Sequence, residues 1–118
     1  GAKKTTFVEK DGKALEVLKK NIEQLKIENK CSVFRSKINS FLNRLNKNDK
    51  YEIIFFDPPF SESFFIEELK IIKNSNILKK NHLIIIHREK KSKDNFTGII
   101  NILLTRTYNR SKIIFATF

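Results

Sequence analysis

Asp57-Pro58-Pro59-Phe60 brings a carboxylate, stiff backbone carbonyls and an aromatic ring together within four residues. Neither proline has an N–H, so this segment can neither continue a strand ladder nor enter a helix interior. The Pro58 carbonyl is then left out of an ordinary ladder and lies beside the Asp57 carboxylate. Two neighbouring acceptors suit an –NH2 group on a planar ring. They take its two hydrogens and turn the nitrogen lone pair out of the ring plane. The Phe60 ring can stack on the base that carries the amine. The catalytic gain would be mainly positioning, with some stabilisation of positive charge developing on nitrogen. The plain alternative is a turn that only terminates a strand.

Two further features read as strand-end chemistry. In open α/β sheets, ligands sit beyond the carboxyl ends of the strands. Glu9 closes the run Thr5-Thr6-Phe7-Val8. A carboxylate there can accept from both hydroxyls of a ribose, or be a solvated terminus. His87-Arg88 follows the apolar run Leu83-Ile84-Ile85-Ile86. His87 reads first as a structural hydrogen-bonding group and second as a substrate or phosphate contact. Arg88, Arg106 and Arg110 are candidates for RNA phosphates, with a solvated face as the alternative. Cys31 opens a strand and reads as core packing. Phe55, Phe56, Phe64 and Phe65 flank the proline motif; most belong in a core, and one could wall a base pocket.

The elements that must position these groups follow from periodicity. Thr5 to Glu9 reads as a strand, with Asp11 capping the helix after it. Leu15, Leu18, Ile22 and Leu25 recur every three or four residues and predict one buried helical face. Cys31 to Ser36 is a second strand. Ile38, Phe41, Leu42 and Leu45 suggest a short helix, and residues 46–50 a polar loop. Tyr51 to Phe56 is a third strand, whose apolar end predicts cover on both faces. Phe64, Phe65, Leu69 and Ile72 mark a helix. Leu83 to Ile86 is a buried strand ending at His87-Arg88. Ile99 to Thr107 and Lys112 to Phe118 form a final strand pair around the turn 108–111, although residues 99–103 could also be helical. Strands alternating with helices argue for an α/β fold with a mostly parallel sheet and a C-terminal antiparallel hairpin.

Composition narrows the class. The 118 residues suit one domain or part of one, and a hydrophobic fraction of 40% argues for a globular chain. No apolar run approaches a membrane span. One Cys forms no internal disulfide, and two His make a zinc cluster improbable, so no metal site is expected. The expected location is cytoplasmic. A net charge of +11 favours a polyanionic partner. Because Lys, Asn and Ile are all abundant, part of that charge can also reflect A/T-rich coding. The densest clusters are residues 79–80 and 88–93. The glycines are Gly1, Gly12 and Gly98, with no G-x-G, so no glycine-rich nucleotide loop lies within this sequence.

Taken together, Phe7-Val8-Glu9-Lys10-Asp11, Leu18-Lys19-Lys20-Asn21-Ile22, Ser40-Phe41-Leu42 and Ile54-Phe55-Phe56-Asp57-Pro58-Pro59-Phe60 resemble, in order and spacing, the RsmD-type 16S rRNA guanine-N2 methyltransferases. The 108–110 turn and the strand after it resemble that family's C-terminal hairpin. The similarity runs over almost the whole chain. Asp-Pro-Pro-Phe alone is shared with adenine-N6 and other amino methyltransferases. The resemblance implies a Rossmann-like class I fold that uses S-adenosylmethionine to methylate the exocyclic N2 amine of a guanine. It implies 16S rRNA or the small ribosomal subunit as partner. Glu9 and Lys10 would lie at the cofactor ribose. Asp57 would border the cofactor and, with the Pro58 carbonyl, Pro59 and Phe60, hold the guanine.

The sequence departs from the family in two places. An Asp or Asn commonly meets the cofactor adenine after the next strand, and here that place holds Lys37-Ile38. A Lys side chain has no acceptor, so the Lys37 backbone substitutes or cofactor binding weakens. The family's first strand and glycine-rich loop would precede Gly1. The expectation is therefore one partial domain, residues 1–118, whose sheet is completed by a preceding segment or another chain. Unpaired, the flanking strand edges would be prone to association. The alternatives are a DNA adenine-N6 methyltransferase, a non-catalytic remnant, a basic RNA-binding module of the same fold, and a general α/β domain.

Overall fold

In the computed structural model, which describes residues 1–46, 48–61 and 64–118, the chain falls into two units, Gly1–Leu45 and Asn46–Phe118. In the first, the β-branched and aromatic residues of β1 (Thr5–Glu9) pair in parallel with β2 (Cys31–Arg35), Phe7 opposite Val33. Helix α1 (Gly12–Gln24) makes the crossover between them. Asp11 caps it, its side chain accepting from the Ala14 N–H at 2.8 Å. This satisfies a donor that the first helical turn leaves unpaired. Leu15 and Ile22 are buried and Leu18 is half-buried. Leu25, expected on the same face, is 68% exposed. The helix ends there, and Lys26 takes a left-handed conformation at φ 54°, which turns the chain before Leu25 can join the stripe. Beyond a 3-10 turn at Glu28–Lys30 and strand β2, the short α2 (Ile38–Leu42) is held by Phe41, whose ring meets that of Phe34 at 5.1 Å.

The second unit is a four-stranded sheet in the order β3-β4-β6-β5. β3 (Tyr51–Phe56) and β4 (Leu78–Glu89) are parallel, joined by α3 (Phe65–Asn74). β5 (Asn101–Tyr108) and β6 (Ser111–Thr117) form the antiparallel hairpin, and β6 also pairs antiparallel with β4. The sheet of this unit thus joins a parallel pair to the expected C-terminal antiparallel hairpin, and is mixed. Residues 101–103 are strand, not helix. The expected loop at 46–50 includes Lys47, which lies outside the described residues.

The core of this unit is Phe65, Leu69 and Ile72 of α3 with Ile84 and Ile86 of β4 and Ile114 and Ala116 of β6. Alternation along a strand explains which side chains take part. On β3 it buries Phe56, whereas Ile53 and Phe55 are 57% and 58% exposed. Among the described residues, then, one face of β3 is packed and the other is open, against the cover on both faces expected from the apolar run. Among the described residues no helix is long and apolar enough to cross a membrane.

Candidate active site

The two prolines decide where β3 stops. The last parallel pair is Phe56 with Ile86, so the next residues, Asp57 and His87, come side by side. β3 cannot continue through Pro58, whereas β4 can. β6 supplies it with ladder partners, pairing His87 with Ile113, Arg88 with Lys112 and Glu89 with Ser111. His87 and Arg88 therefore lie inside β4, not at its end as the sequence suggested. The 57–60 loop fills the space beside them.

His87 Nδ1 lies 2.8 Å from Asp57 Oδ1. An ionised carboxylate only accepts, so Nδ1 is the protonated nitrogen in this contact. The carboxylate is exposed, and Oδ2 stays outside the bond. The Phe60 ring packs edge-on against the His87 ring, with centroids 5.4 Å apart and planes at 77°. Phe60 itself is 42% exposed, which leaves ring surface open to a ligand.

Arg88 shares the core face of β4 with Ile84 and Ile86 and is only 3% exposed. Its guanidinium stands over the Phe65 ring, 4.5 Å from the centroid. Nε donates to Asp94 Oδ2 and Nη2 to Asp94 Oδ1, both at 3.0 Å. Nη1 donates to the Pro59 carbonyl at 3.0 Å, and Nη2 to the Phe60 carbonyl at 3.1 Å. The phosphate contact expected of Arg88 is therefore corrected: its charge is inside and already matched. Ser92 Oγ donates to Asp94 at 2.7 Å, and Lys112 Nζ donates to the Ser92 carbonyl at 2.6 Å. Burial pushes the Asp94 carboxyl up. Hydrogen bonds from Arg88 and Ser92, with the charges of Arg88 and Lys112, outweigh that and hold it below the usual range. Sequence reading missed Ser92 and Asp94, because in a charged loop nothing local distinguishes an anchor from a solvated carboxylate. Arg106 and Arg110 are exposed. In the other dense cluster, Lys79 pairs with Glu52.

The first unit holds the other candidates. At the end of β1, Glu9 Oε1 accepts from the Asp11 N–H at 2.7 Å, which fixes the carboxylate and leaves Oε2 outside that bond. The Glu9 carbonyl accepts from the Ser36 N–H at 3.1 Å, tying the ends of β1 and β2 together. Lys10 is exposed beside them. Lys37 is the N-cap of α2 and gives it no side-chain cap. Its carbonyl accepts from Phe41 N–H at 3.0 Å and from Ser36 Oγ at 2.9 Å. Both lone pairs of that carbonyl are thus used within the unit. Ile38 opens α2 and is half-buried.

Comparison with known proteins agrees with this architecture. A family model described as Conserved hypothetical protein 95 matches residues 1–117. A Buchnera aphidicola protein named Ribosomal RNA small subunit methyltransferase D is 34% identical over 87 residues, covering 74% of this chain and 44% of that protein. A Streptococcus pyogenes structure described as a conserved hypothetical protein superposes with a TM-score of 0.85 at 19% identity, covering 99% of this chain and 72% of the other. A Haemophilus influenzae crystal structure described as that of a proposed methylase gives a TM-score of 0.76 at 27% identity, covering 98% and 73%. The chain spans about half the length of the curated relatives it matches, from 44% to 60%.

Proposed function

This chain belongs to the Conserved hypothetical protein 95 family, and from that premise we propose that it serves an S-adenosylmethionine-dependent rRNA methyltransferase acting on the exocyclic N2 amine of a guanine in 16S rRNA. The observation that carries the reading is the disposition of acceptors in the 57–60 loop. The Pro59 and Phe60 carbonyls take hydrogen bonds from Arg88, and Asp57 Oδ1 takes one from His87. Among the described residues, Asp57 Oδ2 and the Pro58 carbonyl are then the neighbouring acceptors of this loop left for an amine.

The residues divide the work in the following way. Asp57 and the Pro58 carbonyl accept the two amine hydrogens, and Phe60 offers its ring to the base. Held so, the nitrogen lone pair points out of the ring plane, toward the incoming carbon. As the carbon–nitrogen bond forms, positive charge develops on nitrogen. The Asp57 carboxylate stabilises that charge and takes the proton that nitrogen releases. When bound, the cofactor would supply an electrophilic methyl group on a sulfonium, whose carbon–sulfur bond breaks to leave a neutral thioether. Glu9, fixed by Asp11, suits the two hydroxyls of its ribose, with Lys10 and the 37–38 segment alongside. Exposed Arg106 and Arg110 suit rRNA phosphates of the small subunit, as does the net charge of +11. A cytoplasmic location goes with that substrate.

The test is transfer of labelled methyl from S-adenosylmethionine to small subunits or 16S rRNA, using this chain and a version extended at its N-terminus. Nucleoside digestion should return N2-methylguanosine. Label on N6-methyladenosine in duplex DNA would move the assignment to an adenine enzyme. Affinity for RNA with no binding of the methyl donor, read by titration calorimetry on both versions, would leave a non-catalytic module instead.

A further inference from the structure

We infer that Arg88 is the positioning residue of the 57–60 loop, selecting which of its acceptors face the substrate amine. This rests on the methyltransferase reading above for its chemistry, but not for its geometry. The loop offers the Asp57 carboxylate and the carbonyls of Pro58, Pro59 and Phe60. With no N–H on either proline, the loop has little backbone hydrogen bonding of its own to define its path. A fork of donors from a neighbouring strand supplies what is missing. Nη1 and Nη2 hold two successive carbonyls at 3.0 Å and 3.1 Å.

The fork is itself fixed from two sides. Asp94 binds Nε and Nη2 at 3.0 Å each, and Ser92 orients Asp94. The Phe65 ring supports the guanidinium from the core. Four of its five N–H groups are used in this way. A planar, bidentate donor rigid enough to do this is specific to Arg; a Lys is a point donor on a flexible stem. Turning the Pro59 and Phe60 carbonyls inward toward β4 leaves only the Pro58 carbonyl beside Asp57. The Arg88–Asp94 pair thereby also ties the 90–97 loop to the substrate-binding loop.

The test uses the whole chain carrying Arg88→Lys, with Asp94→Asn as a second variant that keeps Arg88 and loosens its anchor. The geometric readout is NMR. The carbonyl 13C signals of Pro59 and Phe60 should move, and the cross-peak between the Phe60 and His87 rings should be lost. Signals of Ile84 and Ile114 should stay in place. Unmoved carbonyls and an intact cross-peak in either folded variant would overturn the inference, as would equal disturbance of the core. In the methyl-transfer assay kcat should fall about 100-fold, the size of effect expected from misplacing a reacting group by an ångström, with KM for the methyl donor unchanged. A loss confined to KM would also overturn it. If the unaltered chain transfers no methyl in its extended version, the functional reading fails, and the NMR readout still decides the role of Arg88.

Discussion

His87 and Arg88 are chain neighbours on opposite faces of β4, and both hold the same loop. His87 meets Asp57 Oδ1 at 2.8 Å on one face, while Arg88 reaches the Pro59 and Phe60 carbonyls from the core side. Period-two alternation puts a half-buried group and a buried group one residue apart on opposite faces, which lets a single strand grip both ends of a four-residue turn.

The role proposed for Asp57 predicts that Asp57→Ala lowers methyl transfer by about 100- to 1,000-fold, as for loss of one oriented group at a developing charge. RNA affinity, measured by filter binding, should stay near that of the parent. His87→Ala should cost about tenfold in kcat, since it removes one hydrogen bond to a charged acceptor without removing the acceptor. Unchanged turnover in Asp57→Ala would take that residue out of its assigned place.

Asp94 predicts a defined acid sensitivity. Its carboxyl lies below the usual range in the folded chain, so the unfolded chain protonates first as pH falls. Its stabilisation is complete above the unfolded value and is lost as pH drops through the lower folded value. Asp94→Asn should destabilise the chain by about 3 kcal/mol at pH 7, because the buried Arg88 charge loses its partner. Urea unfolding should show that gap holding down to about pH 4 and then closing. A gap independent of pH would show that charge at Asp94 does not matter.

Two adjacent phenylalanines should respond very unequally. Phe65 has no exposed surface, carries Arg88 over its ring and meets Phe96 edge-on at 6.1 Å. Phe64 is 73% exposed. Phe65→Ala should cost about 3–5 kcal/mol, and Phe64→Ala no more than about 0.5 kcal/mol. Chemical denaturation of both variants checks the pair, and similar losses would contradict the packing described.

Lys37 sits at a helix N-cap with no side-chain bond to give. Lys37→Asp should stabilise α2 and raise chain stability by about 1 kcal/mol. It also adds an acceptor where the resemblance drawn from the sequence implies one for adenine. Calorimetric titration with S-adenosylmethionine should therefore show tighter binding than the parent. A variant that is more stable but binds no better would separate the cap from the cofactor contact.

Much of this protein was legible in its residues. The strands and helices follow from hydrophobic periodicity and from Asp11 as a cap, because those signals act over a few residues and survive without context. The proline motif declared an acceptor-rich break in a strand, because a missing N–H is a covalent fact. Family membership was legible in the same spacing. Tertiary structure alone decided the rest. Whether Ile53 and Phe55 are covered depends on what packs on that face of β3. The true end of β4 depends on β6, whose ladder carries it past His87. Arg88 read as a surface cation, and only the fold supplies Asp94, two loop carbonyls and a phenyl ring to surround its charge. Burying a guanidinium needs partners from distant stretches of chain, and no local pattern records their arrival.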